Sequence, residues 1–139
     1  MKTSIKKIYT CFPGGKHKVL TMSYDDGKHE DRRLVEIFNQ YGIRGTFNLN
    51  SGLEDFVWYY EDRFPVRRQI LSEVGDLYRG HEIASHSLHH HWLNSLTPPQ
   101  ISREIGEDCE VLKKQFGLKQ LILVTVFYLV FTLIELGLD

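Results

Sequence analysis

Short β-type runs alternate along this chain with stretches of helical spacing, and that alternation constrains the fold more than any other feature. Val19 to Tyr24, Gly45 to Asn50 and His81 to Ser85 each read as a strand. Between and after them, Leu34, Ile37, Phe38 and Tyr41 recur at helical spacing up to Gly42. Ile70, Leu71, Val74 and Leu77 do the same within a predicted helix over Val66 to Tyr78. Thr97-Pro98-Pro99-Gln100 reads as a capping box with proline at the first helical position, opening a helix that stops at Gly117. Leu53 to Pro65 has no clean period and is expected to be a loop insertion. Strand and helix in alternation predict an α/β domain with about four parallel strands, whose sites gather at the strands' carboxyl ends.

Two segments fall at those ends. Ser23-Tyr24-Asp25-Asp26-Gly27 places adjacent carboxylates just after a strand, with Gly27 free to take positive φ and turn the chain. His86-Ser87-Leu88-His89-His90 spaces two imidazoles four residues apart, expected on one side of a helical turn. Together they offer two nitrogens and one oxygen to a divalent cation, with a spare carboxylate beside it to handle a proton. Three protein ligands with an open position is the stoichiometry of a catalytic zinc-type centre. Five of the seven histidines lie between residues 81 and 91. The choice of pair is therefore open on spacing alone: His86 with His89 is a competing pair, and a His-rich metal-binding module is a competing reading. His89 and His91 are expected to be supporting or solvated, and Ser87 to cap the turn.

The two segments resemble the first two motifs of the polysaccharide deacetylase family, the NodB-homology domain of carbohydrate esterase family 4. That family reads Thr/Ser-Phe/Tyr-Asp-Asp-Gly and then His-Ser/Thr-x-x-His, and the resemblance spans roughly residues 18 to 117. It implies that Asp25 is the catalytic base and that Asp26, His86 and His90 hold the metal. It also implies a fold, a distorted (β/α) barrel, of which about four strands would form a partial, open version. The implied activity is metal-dependent hydrolysis of N-acetyl, or less readily O-acetyl, groups on a carbohydrate. Zinc suits the ligand set, with cobalt, nickel or manganese as alternatives.

The family continues with a Gly- and Pro-bearing loop and a late Leu-His motif, whereas residues 118–139 form an atypical apolar tail without histidine. A C-terminally truncated or frameshifted deacetylase is the expectation that follows. A truncated or degenerate domain that binds metal without turnover is the rival functional reading. The run from Leu121 to Ile134 is fourteen residues long, short of the roughly twenty that span a bilayer, so a buried strand is expected and no membrane association.

Composition narrows the remaining classes. A net charge of −1, with no basic stripe carrying aromatics, gives no case for nucleic acid. The charged first 18 residues lack an apolar signal core, and Cys11 and Cys109 show no CxxC spacing, which together predict a cytoplasmic protein with free thiols. Phe12-Pro13-Gly14-Gly15-Lys16 lacks phosphate-loop spacing, and no Gly-x-Ser-x-Gly elbow is present. Trp58, Tyr59 and Tyr60 have two open readings, stacking on sugar rings or packing within the insertion.

Overall fold

The computed structural model describes residues 11, 12 and 14–123. A parallel sheet forms the centre, built from β1 (Ser23–Asp25), β2 (Thr46–Leu49), β5 (Glu82–Ser85) and β6 (Ile122–Leu123), in the order β1-β2-β5-β6. The remaining strands, β3 (Val57–Tyr60) and β4 (Phe64–Arg67), pair antiparallel as a separate hairpin. Helix α1 (Asp31–Tyr41) connects β1 to β2, and α2 (Pro98–Phe116) connects β5 to β6. This is the expected α/β class with four parallel strands. The strands are shorter than the runs that announce them, since residues 19–22 stay outside β1.

Both helices end where the sequence says they should. Gly42 and Gly117 each adopt left-handed φ of 64°, a conformation that glycine takes at no steric cost. At the start of α2, Gln100 reaches back to accept the Thr97 N–H at 2.9 Å, and the prolines occupy positions whose missing donors would be unpaired anyway. The core lies between sheet and helices: Val35 and Phe38 from α1, Phe47 and Leu49 from β2, Leu71, Val74 and Tyr78 from the segment before β5, and Leu112 from α2. Phe47 anchors it, with ring centroids 4.8 Å from Tyr78 and 6.0 Å from Tyr24.

Two expectations fail here. No helix forms over Val66 to Tyr78. Phe64-Pro65-Val66-Arg67 is strand, with Val66 opposite Trp58, and beyond it the backbone donors are committed to distant partners. The Arg68 N–H reaches Phe56 O at 3.0 Å and the Gln69 N–H reaches Gly27 O at 2.8 Å, which leaves only a single 3-10 turn at Leu71–Glu73. The apolar spacing that mimics a helix instead serves to bury Leu71 and Val74 in an irregular segment. Likewise, Leu53 to Pro65 is not a plain loop. It contains most of the β3–β4 hairpin, whose turn places Glu61 and Asp62 at φ of 51° and 53°. Asn-Gly is the usual signal for two consecutive left-handed residues, and its absence hid the hairpin. Cys11 and Cys109 are free thiols, as expected. Of the apolar tail, Leu118 to Leu123 is described and supplies β6; residues 124–139 lie outside the described part.

Asp31 opens α1 with its side chain buried, and the Tyr78 hydroxyl donates to its Oδ2 at 2.9 Å. Burial pushes this carboxyl up to about 6, against the hydrogen bond from Tyr78. Because the folded value exceeds the unfolded one, stability is fully present below about pH 4 and is lost as pH rises through about 6. Charging Asp31 costs on the order of 3 kcal/mol. Replacement by asparagine keeps an acceptor for Tyr78 and removes the charge. Urea unfolding should therefore show D31N gaining on the wild type between pH 4.5 and 7.5; an equal difference at both pH values would count against a protonated Asp31.

Candidate metal centre

Parallel register brings the two motifs together. Asp25 pairs with Asn48 across β1 and β2, and Leu49 pairs with Ser85 across β2 and β5, so the carboxyl ends of three strands lie side by side. From those ends, Asp26, His86 and His90 converge, with one ligand atom from each lying within 4.8 Å of the others. The Asp26 Oδ1 is 3.5 Å from His90 Nε2. The His86 and His90 ring centroids are 4.8 Å apart. Asp25 stands beside them, its Oδ2 4.0 Å from His86 Nε2.

The route by which the imidazoles meet differs from the expected helical turn. Residues 86–92 form no helix. His86 continues the line of β5, its N–H donating to Leu49 O at 2.8 Å. The chain then doubles back through two left-handed residues, Ser87 at φ 68° and His90 at φ 57°. Ser87 does not cap the turn, because its buried Oγ finds no hydrogen-bond partner among the described residues. Asn50 does the holding, with Nδ2 donating to the carbonyls of both His86 and Ser87, the latter at 2.7 Å.

Motif one is positioned by a comparable set. Asp26 also takes left-handed φ, 82°, with its N–H on Asn48 O at 2.9 Å. Gly27 follows at φ 59°, where an added Cβ would lie 2.9 Å from Leu49 Cδ2, so both conformation and space demand glycine. Asn48, fully buried, donates from Nδ2 to Asp25 Oδ1 at 2.6 Å and to Ser23 Oγ at 2.9 Å. That leaves Oδ2 of Asp25 facing the histidines.

Electrostatics prepares the donors. The buried Arg68 guanidinium donates to Asp26 Oδ1 at 2.9 Å and to its carbonyl at 3.1 Å, and also bonds Asn50 Oδ1. Lys28 Nζ lies 3.3 Å from Asp26 Oδ2. Burial pushes the Asp26 carboxyl up, but Arg68, Lys28 and His90 outweigh it and hold the group below the ordinary carboxylate range. Burial, with the neighbouring His86 and Arg68, pushes His90 down against the pull of the two aspartates, which keeps the imidazole neutral at pH 7. An ionised carboxylate beside a neutral imidazole is the protonation state in which both bind a cation. The donor set thus fits a zinc-type ion.

Sequence reasoning missed Asn48, Asn50 and Arg68. A signal for the asparagines was present: Thr46-Phe47-Asn48-Leu49-Asn50 carries amides at alternate positions of a run that reads as buried strand, and buried amides need designated partners. Arg68 gave no such signal, because its segment reads as a helix. Trp58 lies beneath both site cations, 5.3 Å from the Arg68 guanidinium and 5.8 Å from Lys28 Nζ, and stacks on Phe56, whereas Tyr59 and Tyr60 are exposed.

The profile of the polysaccharide deacetylase family matches residues 13–125, most of the chain. This protein belongs to that family. The match extends beyond the 18–117 span carried by the motifs alone. Solved structures agree on the fold. A deacetylase of Streptococcus pyogenes, PplD, in complex with acetate superposes with a TM-score of 0.64 at 19% identity, covering 80% of this chain and 46% of that one. The peptidoglycan deacetylase PdaC of Bacillus subtilis gives 0.61 at 19% identity, covering 78% and 48%. IcaB of Ammonifex degensii gives 0.63 at 17% identity, covering 80% and 50%. The chain spans about half the length of these proteins. Among the described residues, no helix is long and apolar enough to cross a membrane.

Asn50 ties β2, Arg68 and the histidine loop together, so its loss leaves several buried polar groups unpaired at once. Asn50→Ala should cost about 2–4 kcal/mol, since each orphaned buried group costs about 1–3 kcal/mol. The urea midpoint checks this; a change under about 0.5 kcal/mol would mean that the loop is held by other contacts.

Proposed function

We propose that this chain carries the metal-binding and catalytic face of a carbohydrate deacetylase, which hydrolyses an N-acetyl, or less readily an O-acetyl, group on a sugar. The observation that carries this reading is the convergence of Asp25, Asp26, His86 and His90 at neighbouring strand ends in a member of the polysaccharide deacetylase family. In this reading the open parallel sheet corresponds to part of a distorted (β/α) barrel.

Asp26, His86 and His90 would hold the ion, and zinc suits two imidazoles and a carboxylate best, with cobalt, nickel or manganese able to take the same donors. When bound, a divalent cation supplies Lewis acidity at the point where these donors meet, acidifying a water and drawing charge from the acetyl carbonyl. Asp25 acts as general base. Asn48 fixes its Oδ1, so Oδ2 takes the proton from the attacking water. The water oxygen bonds to the carbonyl carbon, the bond to the sugar nitrogen breaks as that nitrogen takes up a proton, Asp25 returns its own proton to solvent, and acetate and an amine are released. Arg68 and Lys28 keep Asp26 ionised and oriented throughout.

Two measurements test the assignment. His86→Ala or His90→Ala should abolish stoichiometric zinc binding at this centre, since two remaining ligands rarely retain the ion; unchanged affinity in either variant would refute the ligand set. Asp25→Asn preserves size and removes the base. It should lower acetate release from an N-acetylated oligosaccharide by about 10²–10⁴-fold with metal content intact. Equal loss of metal and activity would make Asp25 a ligand instead. Metal binding by the wild-type chain with no acetate release on any acetylated sugar would identify a degenerate domain that keeps the ion without turnover.

A further inference from the structure

The three consecutive histidines divide between two sides of the loop. His90 faces Asp26, while His89 and His91 face helix α2, where Glu104 awaits them. We propose that His89, His91 and Glu104 form a second divalent-cation site, separate from the one at the strand ends, which fastens the histidine loop to α2.

Three observations support it. One ligand atom from each of the three residues lies within 4.8 Å of the others. Zinc bonds of about 2.1 Å in tetrahedral array set donors roughly 3.4 Å apart, so small side-chain rotations complete the site. The oxygen donor is fixed in advance. Glu104 is buried, and its Oε2 accepts the His89 N–H at 2.8 Å while Oε1 lies 2.8 Å from His89 Nδ1. The nitrogen donors are exposed and so open to an ion from solvent, their ring centroids 5.8 Å apart. His90, between them, takes left-handed φ of 57° and its ring turns to Asp26, so His89 and His91 alone are left on the α2 side. The His89 ring also packs against Gly52, where any Cβ would come within 2.8 Å of it, so its position is set by the fold as well as by Glu104.

The competing account is a plain hydrogen bond between His89 and Glu104 with no ion, in which His91 plays no part. Zinc titration of the full chain, followed by elemental analysis, separates the two. His91 is exposed and its truncation should leave the fold intact. H91A is expected to bind one ion fewer than the wild type, while H90A loses the other ion and keeps this one. E104Q, which keeps the shape and one of the two acceptor oxygens, should behave as H91A does. Cobalt gives a second readout: a set of visible absorption bands present in H90A and absent from H90A/H91A. H91A binding as many ions as the wild type, with unchanged affinities, overturns the proposal. The strand-end centre could fail its own test without affecting this one, because the ion lost in H91A is counted independently of His86, His90 and Asp26.

Discussion

Parallel pairing of β2 between β1 and β5 is the constraint on which the rest depends. All four strands of the sheet run one way, so their carboxyl ends emerge at one edge. The register then decides which side chains meet there: Asp25 beside Asn48, and Ser85, followed by His86, beside Leu49. A shift by one residue would turn every side chain of a strand to the other face and scatter the four site residues. Phe47 and Leu49, both fully buried, lock that register from the core side, so the packing of an apolar core and the assembly of a polar site are one event.

The site also shows how a buried carboxylate is kept charged. Asp26 is drawn out of water, which alone would neutralise it, and the fold answers with a buried guanidinium at 2.9 Å and an ammonium at 3.3 Å. Arg68 is in turn bonded to Asn50, which grips the loop that carries His86 and His90. Cation, amide and loop form one network. The hairpin that delivers Arg68 therefore belongs to the site even though it lies outside the parallel sheet.

Helix α2 plays the same part on the other side of the loop. Asp108, fully buried on α2, accepts the Ser51 N–H at 2.7 Å and the Ser51 hydroxyl at 2.6 Å, and also bonds Ser85. One turn earlier, Glu104 holds His89. Two acids spaced four apart on one helix thus pin the ends of β2 and β5 and the histidine loop. Acids on a helix ordinarily read as a solvated face, and only the burial of these two marks them as anchors.

Much of the framework was legible along the chain. Gly42, Gly117, the Thr97–Gln100 box and the apolar periodicity marked α1, α2 and the strands, because these signals depend on local backbone physics. Asp25, Asp26, His86 and His90 were legible as a set through their residue types and their places at strand ends. What the sequence could not specify was how the chain travels between them. The segment 66–78 carries helical spacing, yet its Arg68 and Gln69 N–H groups are taken by Phe56 and Gly27, and the tertiary structure overrode the local preference. His86 and His90 meet through left-handed residues at 87 and 90 rather than through a helical turn, and the loop is held by Asn50 from just beyond the end of β2. Asn50, Arg68, Asp108 and Glu104 acquired their roles only on folding, since a polar side chain's importance rests on which distant partners remain once water is excluded. Local propensity and residue chemistry were written in the order of the amino acids; the partners of buried charge were decided in three dimensions.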